Sequence, residues 1–382
     1  MAENRIKQLY SEQGQSVWQD DISRDMLNSG AIRTAIEETG IRGLTSNPTI
    51  FEKAIAAGTA YDEEIGGLLE RDFGAAAIFE AVAVRDIQET CDLFRPLYEE
   101  SEGGDGFVSI EVSPAGARDA ELTREEARRL WTTVNRHNLM VKIPGTAEGA
   151  PVIREMLEEG LNINITLLFS VASYEGVAEA YIDALSARHA AGKPINRIAS
   201  VASFFVSRVD TLVDKLLDEK IGAASDATTK GWLESLKGKA AVANAKIAYQ
   251  SFVRLFSGND WETLVAAGAR VQRPLWASTS VKNPAYPDTM YVDELIGPHT
   301  VNTMPRPTIE GFLDHGTVAR TIDHDLADAY KTMEDLAAAG IDIAAVTAQL
   351  EDEGIASFAK SFDSLIAGVE SKRSLLAGAA AD

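Results

Sequence analysis

Short apolar runs rich in β-branched and aromatic residues recur along the chain, each closed by polar or turn residues and followed by helical patterning. They predict strands at Ser16–Asp20, Gly43–Pro48, Phe107–Val112, Leu139–Pro144, Asn162–Phe169, Ile198–Phe205, Arg273–Ser280 and His299–Pro305. Between them the spacing of apolar positions predicts helices. One starts at a capping box formed by Thr123 and Glu126 and ends near Asn138, and another runs from Thr146 to a stop at Gly160. Residues 170–192 and 206–220 read as amphipathic helices. Strands alternating with helices of this size pair in parallel through right-handed crossovers. Eight such units point to a closed (β/α)8 TIM barrel. An open doubly wound sheet is the weaker reading, because no G-x-G-x-x-G follows the first strand.

Length sets the domain question. The 382 residues would allow two or three ordinary domains or one large barrel. No low-complexity linker or fixed-period repeat interrupts the pattern. Residues 49–100 and 206–270 read as helical insertions, and the chain turns helical again after residue 308, with a frayed end in LLAGAAAD. The expectation is a single decorated barrel domain over 1–382, with SEGGDG (Ser101–Gly106) as a loop and not a phosphate-binding motif.

Charge then removes classes of partner. With 36 Lys and Arg against 58 Asp and Glu, the formal net charge is −22. Nucleic-acid backbones and anionic membrane surfaces both demand clustered cations, so neither is an expected partner. An anionic substrate must instead be held by local positive charge. Cys91 is the only cysteine, which precludes an internal disulfide and a cysteine-based metal cluster. The five histidines show no metal-ligand spacing, so no metal is expected; nor does a Walker loop appear, and no cofactor is expected. The first residues, MAENRIKQLYSEQ, lack the apolar core of a signal peptide, and no run is long enough to span a membrane, so the expected compartment is the cytoplasm.

In parallel barrels, chemistry gathers at the C-terminal ends of the strands. The polar residues there are Asp20, Asn47, Glu111, Lys142, Asn164, Thr166, Ser203 and, just past the sixth strand, Arg208. Lys142 is the sharpest of them. It sits in LMVKIPG between apolar neighbours, where loss of water favours a neutral, nucleophilic amine able to form a Schiff base with a carbonyl. The competing reading is a lysine that snorkels to the rim or pairs with Glu111. Asn164 and Thr166, two apart, face the same side of their strand and could simply satisfy one another. Asp20 and Glu111 offer carboxylates for proton transfer, with Asp21 as the alternative to Asp20. Arg208 and Lys282 are candidates for holding phosphate, or else solvated surface charges.

These residues stand in segments that resemble the transaldolase family, in its longer branch. The segments are GLTSNPTIFEKAI, VSIEVSP, MVKIPGTAEG, NINITLLFS and SVASFFVSRVD, in order over roughly residues 16–315. The resemblance implies a metal-free, class I aldolase-type barrel. It would move a dihydroxyacetone unit from sedoheptulose 7-phosphate to glyceraldehyde 3-phosphate, giving erythrose 4-phosphate and fructose 6-phosphate, in the non-oxidative pentose phosphate pathway. By the same resemblance Lys142 is the Schiff-base lysine, and Asp20 takes the proton of the C4 hydroxyl. Glu111 and Thr166 position the water of imine formation and hydrolysis. Asn47, Asn164 and Ser203 hold the dihydroxyacetone part, and Arg208 binds phosphate. Lys282 stands where shorter relatives carry a second phosphate arginine. Expected partners are therefore sugar phosphates, for a monomer or homodimer. A fructose 6-phosphate aldolase using the same lysine and a silent phosphosugar-binding barrel are the alternatives.

Overall fold

The computed structural model describes residues 4–379. Eight parallel strands close into a barrel in chain order, the last pairing with the first. They are β1 Gln15–Gln19, β2 Gly43–Leu44, β3 Phe107–Glu111, β4 Leu139–Pro144, β5 Ile163–Leu168, β6 Ser200–Phe205, β7 Arg273–Ala277 and β8 Thr300–Met304. All eight fall inside or within a residue of the predicted runs. β2 is shorter than its run because Asn47 already caps a helix at Pro48, where a proline suits the first turn.

The insertion after β2 holds three helices, Pro48–Ala57, Asp62–Leu69 and Ala75–Glu100; that after β6 holds four, between Ser207 and Ala266. The predicted capping box is not formed. The helix runs over Ala120–Val134 and is capped by Asp119, whose carboxylate accepts from the Glu121 and Leu122 amides. Asp119 comes first in the chain and takes the free amides. Thr123 instead donates to the Gly116 carbonyl at 2.6 Å, and Glu126 accepts from the Ser113 amide at 2.7 Å.

Alternation along the strands sorts the barrel interior into levels. Trp18, Phe107, Met140, Val201, Leu275 and Val301 form an apolar plug. Trp18 is fully buried and fills the space beside Gly43, where an added Cβ would come within 2.5 Å of its indole. Two residues further along the same strands stand Asp20, Ser109, Lys142, Ser203, Ala277 and Thr303. The plug closes the barrel below, so the polar level has only one open side, at the strands' C-terminal ends.

After β8 come helices Arg306–His315, Leu326–Ala338 and Ile343–Ala379. The last, the C-terminal helix, packs against Pro48–Ala57, Asp62–Leu69, Ala75–Glu100, Ser207–Ala223 and β5. No helix among the described residues is long and apolar enough to cross a membrane.

Candidate active site

A cavity of about 370 Å³ opens at the C-terminal ends of the strands. Asp20, Asn47, Glu111, Lys142, Thr166, Ser203, Arg208 and Lys282 all line it. Asp21 does not. Asn164 does not line it and is fully buried, in register with Lys142.

β4 delivers Lys142. All six of its residues are buried, and parallel pairing sets Lys142 beside Glu111 of β3. The Lys142 ammonium donates to the Ser46 carbonyl at 2.9 Å and stands 3.3 Å from Glu111 Oε2. The pairing with Glu111 and the burial in an apolar strand are thus both present. Burial pushes the Glu111 carboxyl above its ordinary value, an effect that Lys142 only partly reverses.

Asp20 follows β1, and its amide bonds to the Met304 carbonyl at 2.9 Å, which holds it in line with the strand. Its carboxylate accepts from the Thr45 hydroxyl at 2.7 Å, and Thr45 lies 2.7 Å from the hydroxyl of Thr303. Burial raises the Asp20 carboxyl too, with Lys142 and Thr45 pulling the other way. One cation therefore serves two desolvated carboxylates, which is the arrangement that sets groups apart for proton transfer.

Asn47 has a double position. Its side-chain oxygen caps the helix Pro48–Ala57 by accepting from the Ile50 amide at 3.1 Å, which leaves its amide group for the cavity. On β5 the pairing with β6 shifts between Ile165 and Leu168, and Leu167 adopts a left-handed φ of 59°. A leucine there is strained by about 1–3 kcal/mol, and such strain gathers at sites. The irregularity brings both Thr166 and Leu167 to the cavity, and the Thr166 hydroxyl is buried there with no protein partner among the described residues. Asn164 donates to Ser109 at 3.1 Å and accepts from Ser203 at 2.7 Å, so it sets the direction of the Ser203 hydroxyl.

At the far wall, Arg208 lies in the first turn of the helix after β6, its guanidinium 5.3 Å from the centre of the Phe205 ring. No carboxylate stands within ion-pair distance of it among the described residues. Desolvation holds it below its ordinary value, with Glu353 opposing. A cation so placed attracts an anion from the cavity. Lys282 is exposed at the rim, 3.4 Å from the Ser280 hydroxyl.

Sequence reasoning missed several lining residues. Thr45, Thr303 and Phe205 could have been found from strand parity, each two positions beyond an inward residue. Ser280 sat within the seventh predicted run. Gly354, Ser357, Phe358 and Ser361 of the C-terminal helix also line the cavity, and no local signal ties them to the barrel.

Comparison with known proteins gives a consistent picture. A family model described as Transaldolase/Fructose-6-phosphate aldolase matches residues 17–369. The chain is similar to a protein of Trichodesmium erythraeum called Transaldolase, with 50% identity over 94% of this chain and 95% of that one. It is 47% identical to Transaldolase 2 of a Nostoc species, covering 98% of this chain and 99% of the relative. With a Transaldolase of Mycolicibacterium smegmatis it shares 46% identity over 96% and 97% of the two chains.

Proposed function

The chain belongs to the transaldolase and fructose-6-phosphate aldolase family, and from that premise we propose how its cavity performs the transaldolase reaction. The reaction is the reversible transfer of a dihydroxyacetone unit from sedoheptulose 7-phosphate to glyceraldehyde 3-phosphate through a lysine Schiff base. Its products are erythrose 4-phosphate and fructose 6-phosphate, and it belongs to the non-oxidative pentose phosphate pathway.

The amine of Lys142 attacks the C2 carbonyl of the donor, and loss of water gives an iminium. Asp20 takes the proton of the C4 hydroxyl, the C3–C4 bond breaks, and its electron pair enters the iminium to leave an enamine. The aldehyde departs. The enamine carbon then attacks the acceptor's carbonyl, Asp20 returns the proton to the new hydroxyl, and water hydrolyses the iminium. Glu111 and Thr166 handle the water of the first and last steps, a role supported by the raised Glu111 carboxyl and the unpartnered Thr166 hydroxyl. Asn47 and Ser203 hold the three-carbon unit, with Asn164 orienting Ser203. Arg208 holds the phosphate, with Lys282 and Ser280 as a looser second contact, since an exposed lysine is a point charge without a bidentate fork.

One observation carries the reading: Lys142 is buried at the floor of the cavity between two carboxylates of raised affinity for protons. The whole chain working as one domain in the cytoplasm, as a monomer or homodimer, belongs to the same proposal. Continuous packing of the helices on the barrel supports the single domain.

Borohydride reduction in the presence of fructose 6-phosphate tests it. The expected result is a dihydroxyacetone-sized adduct on Lys142, located by mass spectrometry after digestion, and erythrose 4-phosphate or glyceraldehyde 3-phosphate added before the reduction should draw off the unit and lower the yield of adduct. An adduct on another lysine, or none in a folded sample, would sink the assignment.

A further inference from the structure

The C-terminal helix passes over the open end of the barrel and presents Gly354, Ser357, Phe358 and Ser361 to the cavity. These positions are spaced i, i+3, i+4 and i+7, so they form one stripe of the helix, about 10 Å long. The stripe has two distinguishable ends. At one end Gly354 is buried against β5 and the phosphate wall: a Cβ there would stand 3.0 Å from Leu167 Cδ2 and 3.7 Å from Arg208 Nη1. At the other end Ser361 accepts from the Thr49 hydroxyl at 3.1 Å, two residues beyond Asn47. The stripe thus runs from the arginine at one wall of the cavity to the asparagine at the other.

Two features show that the helix is fitted to the site and not merely laid across it. The absence of a side chain at Gly354 is what lets the helix descend onto Leu167, the residue strained into the left-handed region where Thr166 and Leu167 enter the cavity. A β-branched side chain at 354 would have to displace Leu167 or the guanidinium. The residues that face the cavity are two hydroxyls and one ring in a helix otherwise anchored by Val346, Leu350, Leu365 and Val369. Ser357 is exposed at the rim, where its hydroxyl has no protein bond among the described residues.

We propose that this stripe is the specificity roof of the site. In it Ser357 and Ser361 hydrogen-bond the hydroxyls of a linear polyol phosphate, and Gly354 is the positioning residue that lets Arg208 meet the phosphate. The inference rests on the sugar-phosphate reading above and adds what selects the length and phosphorylation of the substrate. A three-carbon fragment on Lys142 lies beneath the helix and does not reach it. A phosphorylated six- or seven-carbon chain extends along it.

The test measures half-saturation of borohydride trapping on Lys142 with two probes, fructose 6-phosphate and unphosphorylated dihydroxyacetone, alongside steady-state kcat and KM. Gly354→Val should raise the fructose 6-phosphate half-saturation and KM about tenfold with kcat nearly kept, and leave dihydroxyacetone trapping unchanged. Ser357→Ala with Ser361→Ala should weaken fructose 6-phosphate by a similar factor, about that expected of two hydrogen bonds. Again dihydroxyacetone should be spared. Thermal melts establish folding, and Gly354→Ala replaces the valine variant if that one does not fold. Fructose 6-phosphate values within twofold of wild type, or equal losses on both probes, would overturn the roof. Absence of any Lys142 adduct in the wild type would instead overturn the underlying reading, so the two failures are separable.

Discussion

The barrel carries a buried cluster of charge at each end of its strands, and the two are built to opposite purposes. At the N-terminal end Asp105 is 2% exposed, and both of its oxygens are filled. One accepts from Ser16 and Arg42, each at 2.6 Å; the other accepts from Trp18 at 3.2 Å and Arg273 at 3.0 Å. Burial pushes the Asp105 carboxyl up, yet Arg273, Arg42 and the Ser16 hydroxyl more than reverse it and hold it below the usual range. At the C-terminal end the ratio is inverted, with one cation for two carboxylates, each raised by desolvation. A saturated network fixes a structure, whereas an undersupplied one leaves groups able to exchange protons and bind substrate.

That contrast predicts that changes at the upper cluster cost rate and spare the fold, and that changes at the lower one do the reverse. The largest effect is expected from Lys142→Met. It should remove transaldolase activity to the detection limit and abolish borohydride trapping while melting close to wild type. Retained turnover would place the nucleophile elsewhere. Asp20→Asn comes next, with a fall in kcat of about 10²–10⁴-fold, the range of a lost acid–base group. Its Lys142 imine should still form and be trapped, because the proposed mechanism has Asp20 act after that step. A variant that fails to form the adduct would contradict this order of events.

At the lower cluster, Asp105→Asn leaves two guanidinium groups partly buried without their anion. Loss of one member of a buried pair costs about 3–5 kcal/mol, which denaturant unfolding can measure, while kcat of the folded variant should stay within a fewfold of wild type. A large loss of kcat at unchanged stability would erase the distinction between the two ends.

The smallest effect is one of pH. Asp105 has a depressed carboxyl, so its contribution to stability is present above the ordinary carboxylate value and is lost as the pH falls through its lower folded value. Asp20 and Glu111 run the other way. The fold holds their protons more tightly than the unfolded chain does, so their contribution is complete below the ordinary value and shrinks as the pH rises through the raised one. In the proposed mechanism Asp20 must be ionised to take the C4 proton. The acid limb of kcat/KM, which reports the free enzyme, should therefore lie above the ordinary aspartate range, while Asp105 continues to support the fold. An acid limb at or below that range would show that Asp20 is not the limiting base.

The lower cluster shows where reading the chain fell short. Ser101–Gly106 reads as a loop, and it is a turn, but nothing local announces that Asp105 ties β1 and β7 together beneath the plug. Its partners Ser16, Arg42 and Arg273 stand 89, 63 and 168 residues away along the chain. Lys142 was legible because its signal is local: a lone charge within an apolar strand, followed by Pro-Gly. Glu111 and Asp20 were legible because position at a strand end and a period of two assign them to the inner face.

What the sequence determined by itself, then, is whatever depends on neighbours a few residues apart. Alternation and helical spacing placed eight strands and the main helices, and parity lifted the polar residues to one end of the barrel. Tertiary structure alone decided the rest. The pairing shift at Leu167 depends on how β5 meets β6. The direction of Ser203 depends on Asn164 one strand away. The roof depends on a helix that joins the site at residue 354, more than two hundred residues after Lys142. Closure of the barrel and its covering by that helix are long-range events, and only the packed molecule brings their partners together.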